Sequence, residues 1–444
     1  QIMQQTETPD PRKDELEEDL NTIRSWRNVL VGAAILLPLG YLLWQGAGTL
    51  GWQPHLLDWL HLIVRWAHVV LGVAWIGASF YFIFLENSLN RTKDLRDELA
   101  GNLWAIHGGG FYYVEKYKNA PKKLPEKLHW FKYEAYFTWL TGMLLLTIVY
   151  YFNAKAFMVD PAVRDISPLQ AIGIGIGSLF AGWFIYDALC KSPLLERKSL
   201  FAVIGFTIVV LLAWLLSRYL SGRAAFMHIG ALLGTIMAGN VFFVIIPAQK
   251  ALVAAARRGQ TPDPSLGKFA GLRSLHNNYI TLPVIYVMIS NHFPVTYGGA
   301  WNWAILAGLT LGSVAVRHYI NLHEKGIHAA SMLPLAAIAL FALIVVTAPK
   351  PSTTGGKPVS FSQVAPIFQE RCISCHSAKP TDDVQKIAPN GVMFDTPDQI
   401  KKMADRILVR AVQTHTMPQA NKTGMTEAER LLIGDWINQG ASLQ

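Results

Sequence analysis

The sequence predicts an all-α protein in two parts: a polytopic transmembrane helix bundle of about nine spans, then a small all-α C-terminal domain. Three observations predict it. Of 444 residues, 52 % are hydrophobic and only 16 % are charged, against ~25 % charged in ordinary soluble domains. The apolar residues fall in long runs, and a helix needs ~20 such residues to cross the hydrocarbon core of a bilayer. From residue 361 the runs stop and the composition becomes that of a soluble domain.

Taken in order, residues 1–25 form a polar tail with both signs of charge and with Pro9 and Pro11. The helical part, 26–348, opens with an apolar run from Val29 to about Gly46 that lacks the small-residue cleavage site of a removable signal and reads as an anchor helix. Further runs of spanning length lie near 59–86, 134–153, 168–188, 199–218, 226–246, 278–293, 301–318 and 331–348. With the N-terminus in the cytoplasm, the inner loops carry 18 Lys and Arg and the outer loops 4. That bias is the positive-inside pattern. It explains the net charge of +9 without a nucleic-acid partner and puts everything after Ala348 outside the inner membrane. Residues 349–360 are a Pro/Gly/Ser tether. In the C-terminal domain, 361–444, a first helix is expected over Phe361–Arg371, and the capping box Thr426-Glu427-Ala428-Glu429 starts a last helix.

The most specific stretch is Cys372-Ile373-Ser374-Cys375-His376. Two cysteines two apart with histidine next is the attachment pattern of a c-type haem. Each thiol adds to one vinyl group, and the histidine supplies one axial ligand. A methionine is the usual second ligand. Met417, in the polar loop Thr414-His415-Thr416-Met417-Pro418, is the first choice, with Met393, Met403 and Met425 as alternatives. A redox Cys pair does not need the adjoining histidine, and a zinc site needs more ligands nearby. The domain is thus expected to be a small cytochrome c, with the porphyrin supplying apolar content that about 84 residues lack. The remaining cysteine, Cys190, reads as a buried thiol.

Ionisable residues inside spans are costly, so each is a functional candidate. The histidines fall at two depths. An outer set holds His61, His68, His228 and His292, and an inner set holds His107, His129, His276, His318, His323 and His328. Non-covalent haem b held between helices would give this pattern, with His68 and His228 as the candidate ligands, although interfacial or backbone-bonded histidines would also produce it. His107-Gly108-Gly109-Gly110, beside aromatics and Lys116, reads either as an anion cradle or as an ordinary flexible turn. Gly173, Gly175 and Gly177 read as a helix-packing surface.

Trp66-Ala67-His68 through Trp75-Ile76-Gly77, His107 to Tyr112, His276-Asn277-Asn278-Tyr279, Ser290-Asn291-His292 and the terminal Cys-Xaa-Xaa-Cys-His domain together resemble one family. It is the membrane-bound, cytochrome c-fused urate hydroxylase family of bacteria, and the resemblance covers residues 55–444. That family has eight spans, so the run at 29–46 would be an extra leading helix.

The resemblance implies oxidation of urate to 5-hydroxyisourate in purine breakdown, with electrons passed to a cytochrome c or terminal oxidase rather than to oxygen. Urate is a planar anion that needs donors, a stacking surface and a base. His107, Lys116, His276, Asn277 and Asn278 offer these on the inner side, with His107 or His276 as base. Two other classes fit the residues: a haem-carrying relay subunit without its own substrate, and a dehydrogenase for a different small molecule. A transporter with a histidine proton path is a weaker fit.

Overall fold

The computed structural model describes residue 27, residues 31–32 and 34–35, and residues 38–121, 123–348 and 358–443. The expected polar tail, part of the first expected span and most of the tether lie outside the described residues. Residues 38–49 are helical. Helix α1, Gln53–Ser88, follows, with proline in its first turn. Its 36 residues reach about 54 Å at ~1.5 Å each, well beyond a ~30 Å hydrocarbon core.

An antiparallel hairpin comes next, β1 Leu99–His107 and β2 Gly110–Tyr117, in register from Leu99 opposite Tyr117 to His107 opposite Gly110. It corrects the all-α expectation. Gly108 and Gly109 form the two-residue turn with φ of +57° and +79°. Two successive positive φ values match the twist of a hairpin and favour glycine. The triple glycine is therefore a strand reversal, and Trp104 packs across it on Tyr113 with ring centroids 4.6 Å apart.

Helix α2, Tyr133–Leu146, runs into a π-helical turn over Thr147–Tyr151. Helix α3, Pro168–Lys191, opens on a reciprocal cap in which Ser167 and Gln170 each bond the other's backbone. Helix α4 is Lys198–Leu216. Helix α5, Gly222–Gly239, passes through a second π turn, Asn240–Ile245, into α6, Ile246–Arg257. The wide turn sits where Pro247 would otherwise crowd the carbonyl one turn back. Helix α7 is Pro264–Ser290, α8 is Asn302–Glu324 and α9 is Met332–Val346.

Among the described residues, five helical stretches are long and apolar enough to cross a membrane: His55–Ser88, Pro168–Lys191, Lys198–Leu216, Gly222–Arg257 and Asn302–Glu324. The sequence expected nine. Helix α9 is apolar but has only 15 residues. Helix α7 begins fourteen residues before the expected start at 278, because its first turns carry Lys268, Arg273, His276, Asn277 and Asn278 and do not read as apolar. Exposed Phe180, Phe184, Leu211, Phe243, Phe341 and Ile344 give the bundle an apolar outer surface.

The core centres on α5, whose Phe226, Ile229, Leu232, Ile236 and Met237 are buried among α2, α3, α4 and α7. Helix α3 approaches α5 through two glycines seven residues apart. A Cβ at Gly175 would fall 2.3 Å from His228 Nε2, and one at Gly182 would fall 2.4 Å from Leu232 Cδ1. Gly173 and Gly177 face open space. In the C-terminal part, α10 Phe361–Arg371 crosses α12 Glu427–Asn438, with α11 Pro397–Lys402 beside them. Phe368 and Trp436 are buried at that crossing, 6.1 Å apart.

Gly175→Val is expected to lower stability by roughly 1–3 kcal/mol, the usual cost of overpacking, because the new side chain meets the His228 ring. Gly173→Val, with nothing within 4 Å, serves as its control. Thermal unfolding in detergent measures both.

Candidate functional site

Two sites take shape, one in each part. In the C-terminal domain, Cys372 and Cys375 end α10 as free thiols. With His376 and Met417 they line a cleft of about 130 Å³, walled by Phe368, Phe394, Ile407 and Ile433. His376 Nδ1 lies 3.0 Å from the Val392 carbonyl. A carbonyl only accepts, so Nδ1 carries the proton and Nε2 keeps its lone pair. Burial holds the His376 pKa below its ordinary value, partly opposed by that carbonyl bond. Burial also pushes the Cys372 thiol up to about 12. Among the described residues, no three His, Cys, Asp or Glu side chains converge as a metal chelate. The donors are instead spread along one apolar cleft, which is what a covalently held porphyrin requires: two thiols, a neutral imidazole and a thioether.

Arg430, buried on α12, organises this cleft. Its Nη1 donates to the carbonyls of Ala411 and Met417, the latter at 2.7 Å, and Nη2 donates to Asn421 Oδ1 at 3.2 Å. The Met417 N–H donates to Arg410 O at 2.9 Å. The methionine loop is thereby fixed from both sides of its peptide.

A chamber of about 2040 Å³ separates this domain from the bundle. His61, Arg65, Arg223 and His292 line it from the bundle, and Arg406, Arg410 and Met417 line it from the domain. Met417 borders both cavities. Basic side chains predominate, with Asp58 and Asp160 as the acids on its wall.

Inside the bundle, the structure sorts the expected residues by helix face. His107 stands exposed at the hairpin tip. Lys116 lies at the opposite end of the hairpin, paired with Glu86. Neither joins His276. His276 faces α3 and α4: its Nδ1 meets Tyr186 Oη at 2.9 Å, and its ring stacks on Phe201 at 5.0 Å. Cys190, the buried thiol, lies 3.8 Å from the same nitrogen. Asn240 Nδ2 donates to Tyr186 Oη at 2.9 Å and to Asn277 Oδ1 at 2.8 Å. Arg273 donates to Asn240 Oδ1 at 3.1 Å and to Asp187 Oδ1 at 2.7 Å. Asn278, one residue on, turns the other way, toward Asn321 and Arg317 on α8. His276 and Asn277 thus belong to one side of α7 and Asn278 to the other.

His68 and His228 also serve different neighbours. His68 Nδ1 is 3.0 Å from Thr138 O and 3.1 Å from Thr141 Oγ1 on α2. His228 Nδ1 is 2.8 Å from Ala224 O, and Gly175 and the Tyr151 hydroxyl close over its Nε2. His68 suits a ligand with a free Nε2; a porphyrin on His228 would have to part α3 from α5. Asp187, Tyr186, Asn240 and Arg273 went unread in the sequence. Arg273 was counted in a loop, and the others are single polar residues in apolar runs.

Two outcomes follow for the C-terminal domain. Arg430→Met leaves three acceptors without their charged donor and is expected to cost about 3 kcal/mol, read as earlier thermal unfolding and faster proteolysis of the Met417 loop. Acid lability has a definite sign. Burial alone would raise Asp382, but Lys422 at 2.5 Å and the Gln385 and Val384 N–H groups hold it below the ordinary carboxylate range. Glu429 behaves likewise, burial being outweighed by the Thr426 N–H and Arg371. Unfolding returns both to about 4. Their contribution is therefore complete above about pH 5 and lost as pH falls through the depressed values. Thermal unfolding from pH 7 to pH 3 is expected to show that loss, and Asp382→Asn to flatten it.

Comparison with known proteins gives one match. No curated protein and no solved structure matches the chain. A family model described as urate oxidase N-terminal matches residues 54–348, from the start of α1 to the end of α9. That span takes in the whole polar layer around α7, and by it this chain belongs to the urate oxidase N-terminal family.

Proposed function

We propose that this protein is a membrane-bound oxidoreductase that converts urate to 5-hydroxyisourate and delivers the electrons to a haem c carried by its C-terminal domain. The observation that carries the reading is the hydrogen-bonded chain Asp187–Arg273–Asn240–Tyr186–His276 in the family-matched helices, with Arg273 and Asn240 fully buried and the other three half-buried. Buried ionisable groups among apolar helices are retained for function far more readily than for packing. The reaction balances as urate plus water giving 5-hydroxyisourate, two protons and two electrons.

This chain's residues divide that work. His276, oriented by the Tyr186 hydroxyl and backed by Phe201, accepts the urate N–H proton. Arg273 donates to Asp187, which also pairs with Lys191 at 2.6 Å, so Asp187 is fixed as a carboxylate between two cations. Asn277, held by Asn240 and by the Met237 carbonyl at 3.0 Å, offers a fixed amide. Exposed His107 and Lys116 are peripheral to this layer. Cys372, Cys375, His376 and Met417 would hold the haem c, with His68 the better placed of the two candidates for any haem b. When bound, haem supplies one-electron acceptance, matching a two-electron donor to a cytochrome c or terminal oxidase. The exposed apolar side chains support a membrane setting, and the Lys and Arg bias of the loops supports a C-terminal domain in the periplasm.

His276→Ala is expected to lower kcat for urate by about 10²–10⁴, the range for loss of a general base, with the c-type absorbance retained. Cys372→Ala with Cys375→Ala is expected to abolish urate-dependent reduction of added cytochrome c. Wild-type turnover by the His276→Ala protein would remove His276 from the mechanism, and no urate turnover by the wild-type protein would end the reading itself.

A further inference from the structure

Arg317, on the α8 face toward α7, is a cation with half its hydrogen-bonding edge unanswered. It is fully buried. Its Nε donates to Asn278 Oδ1. Among the described residues its Nη1 and Nη2 have no hydrogen-bond partner. The Phe80 ring from α1 covers one guanidinium face, 3.7 Å from Cζ to the ring centroid. Among the described residues no carboxylate forms an ion pair with it, and Glu324 acts on its charge only from a distance. Glu324, two turns along the same helix, takes the Asn87 amide at 2.8 Å instead. Asn321, held at 3.2 Å by Asn278, keeps its own Nδ2 buried and unbonded beside it.

A buried guanidinium without a counter-charge is among the costliest groups a helix bundle can hold. The unbonded donors all sit at the α7–α8 interface. Nη1 and Nη2 form the planar fork that meets two neighbouring acceptor atoms of one anion. We propose that Arg317, with Asn321 and against Phe80, anchors a buried site for a flat, delocalised anion presenting two adjacent acceptor atoms. His276 lies across α7, so this is a separate site from the proton-accepting layer. Two sources share that chemistry: a carboxylate of a non-covalent porphyrin, and the urate anion itself. The urate source rests on the function proposed above; the porphyrin source does not.

The test uses the full-length protein in detergent and compares wild type with Arg317→Gln, Arg317→Lys and Asn321→Ala. Size-exclusion elution and circular dichroism establish that each variant folds. Asn321→Ala keeps the cation, so it reports on the site even where Arg317→Gln does not fold. The first arm counts non-covalent haem by solvent extraction and pyridine haemochrome. A selective loss of at least half of it in Arg317→Gln, with c-type haem unchanged, identifies the porphyrin carboxylate. The second arm follows Tm with increasing urate, independently of turnover. A urate-dependent rise in wild type that is absent in Arg317→Gln and reduced in Arg317→Lys and Asn321→Ala identifies urate. If the folded variants keep both the wild-type haem content and the wild-type urate response, the anion site is overturned. If wild type fails to oxidise urate while Arg317→Gln loses non-covalent haem, the urate reading falls and the anion site stands.

Discussion

A buried polar group must be answered by another group, and helix α7 is where this protein meets that requirement most severely. In under two turns it carries Arg273, His276, Asn277 and Asn278 into an apolar bundle. Between them they reach four neighbours: Arg273 meets α3 and the π turn after α5, His276 meets α3 and α4, Asn277 meets the π turn, and Asn278 meets α8. An unmade hydrogen bond in such surroundings costs more than a made one returns. The positions of α3, α5 and α8 around α7 are thereby tied to one polar layer. The π turn Asn240–Ile245 has the same origin, since it opens at the asparagine that bridges Tyr186, Asn277 and Arg273.

The C-terminal domain obeys the same constraint on a smaller scale. Arg430 is buried yet bonded through both Nη atoms, its charge spread over two carbonyls and an amide that fix the Met417 loop. The contrast with Arg317 is instructive. Of the three arginines buried among the described residues, Arg273 is paired with Asp187 and Arg430 bonds protein groups and organises a cleft, whereas Arg317 leaves its outer edge unbonded. Between the halves, Met417 borders both the Cys-lined cleft and the chamber walled by Arg65, Arg223, Arg406 and Arg410. The opposite end of the molecule carries the polar layer. Asn277 and Asn291 lie at successive levels of one structure, 14 residues apart, or about 21 Å along a helix. In the reaction proposed above, a substrate at the layer and an acceptor at the cleft would be joined through the bundle and not by direct contact.

What was legible in the sequence follows from which signals are local. Cys372 to His376 is a contiguous pattern, and the Thr426–Glu429 cap is written in four residues; the cap opens α12 as read, and the cysteine segment follows α10 and lines the cleft. The apolar runs located α1, α3, α4, α5 and α8; among the described residues α2 and α9 are too short on their own, and α7 too polar, to join those five as stretches long and apolar enough to cross a membrane. Hydropathy read only the second half of α7, near 278–293, because its polar first turns dilute the apolar signal that marks a span. The hairpin was missed because Gly108 to Gly110 reads as flexibility unless the positive φ values of a tight reversal are known. Partnerships were the least legible. Adjacent Asn277 and Asn278 read as one site, yet a 100° step around the helix sends them to opposite neighbours. Nothing in sequence order pairs Arg273 with Asp187 or Arg430 with Met417, because those contacts exist only once the helices pack.

The central claim is that electrons from urate reach iron held at Cys372, Cys375 and His376. Its most direct test is a reduced-minus-oxidised absorbance spectrum of the purified, full-length protein, taken without oxygen and with urate as the sole reductant. The account predicts the appearance of c-type reduced bands, lost when Cys372 and Cys375 are replaced. A protein that carries oxidised c-type haem, is reduced by dithionite and stays oxidised in excess urate would contradict it.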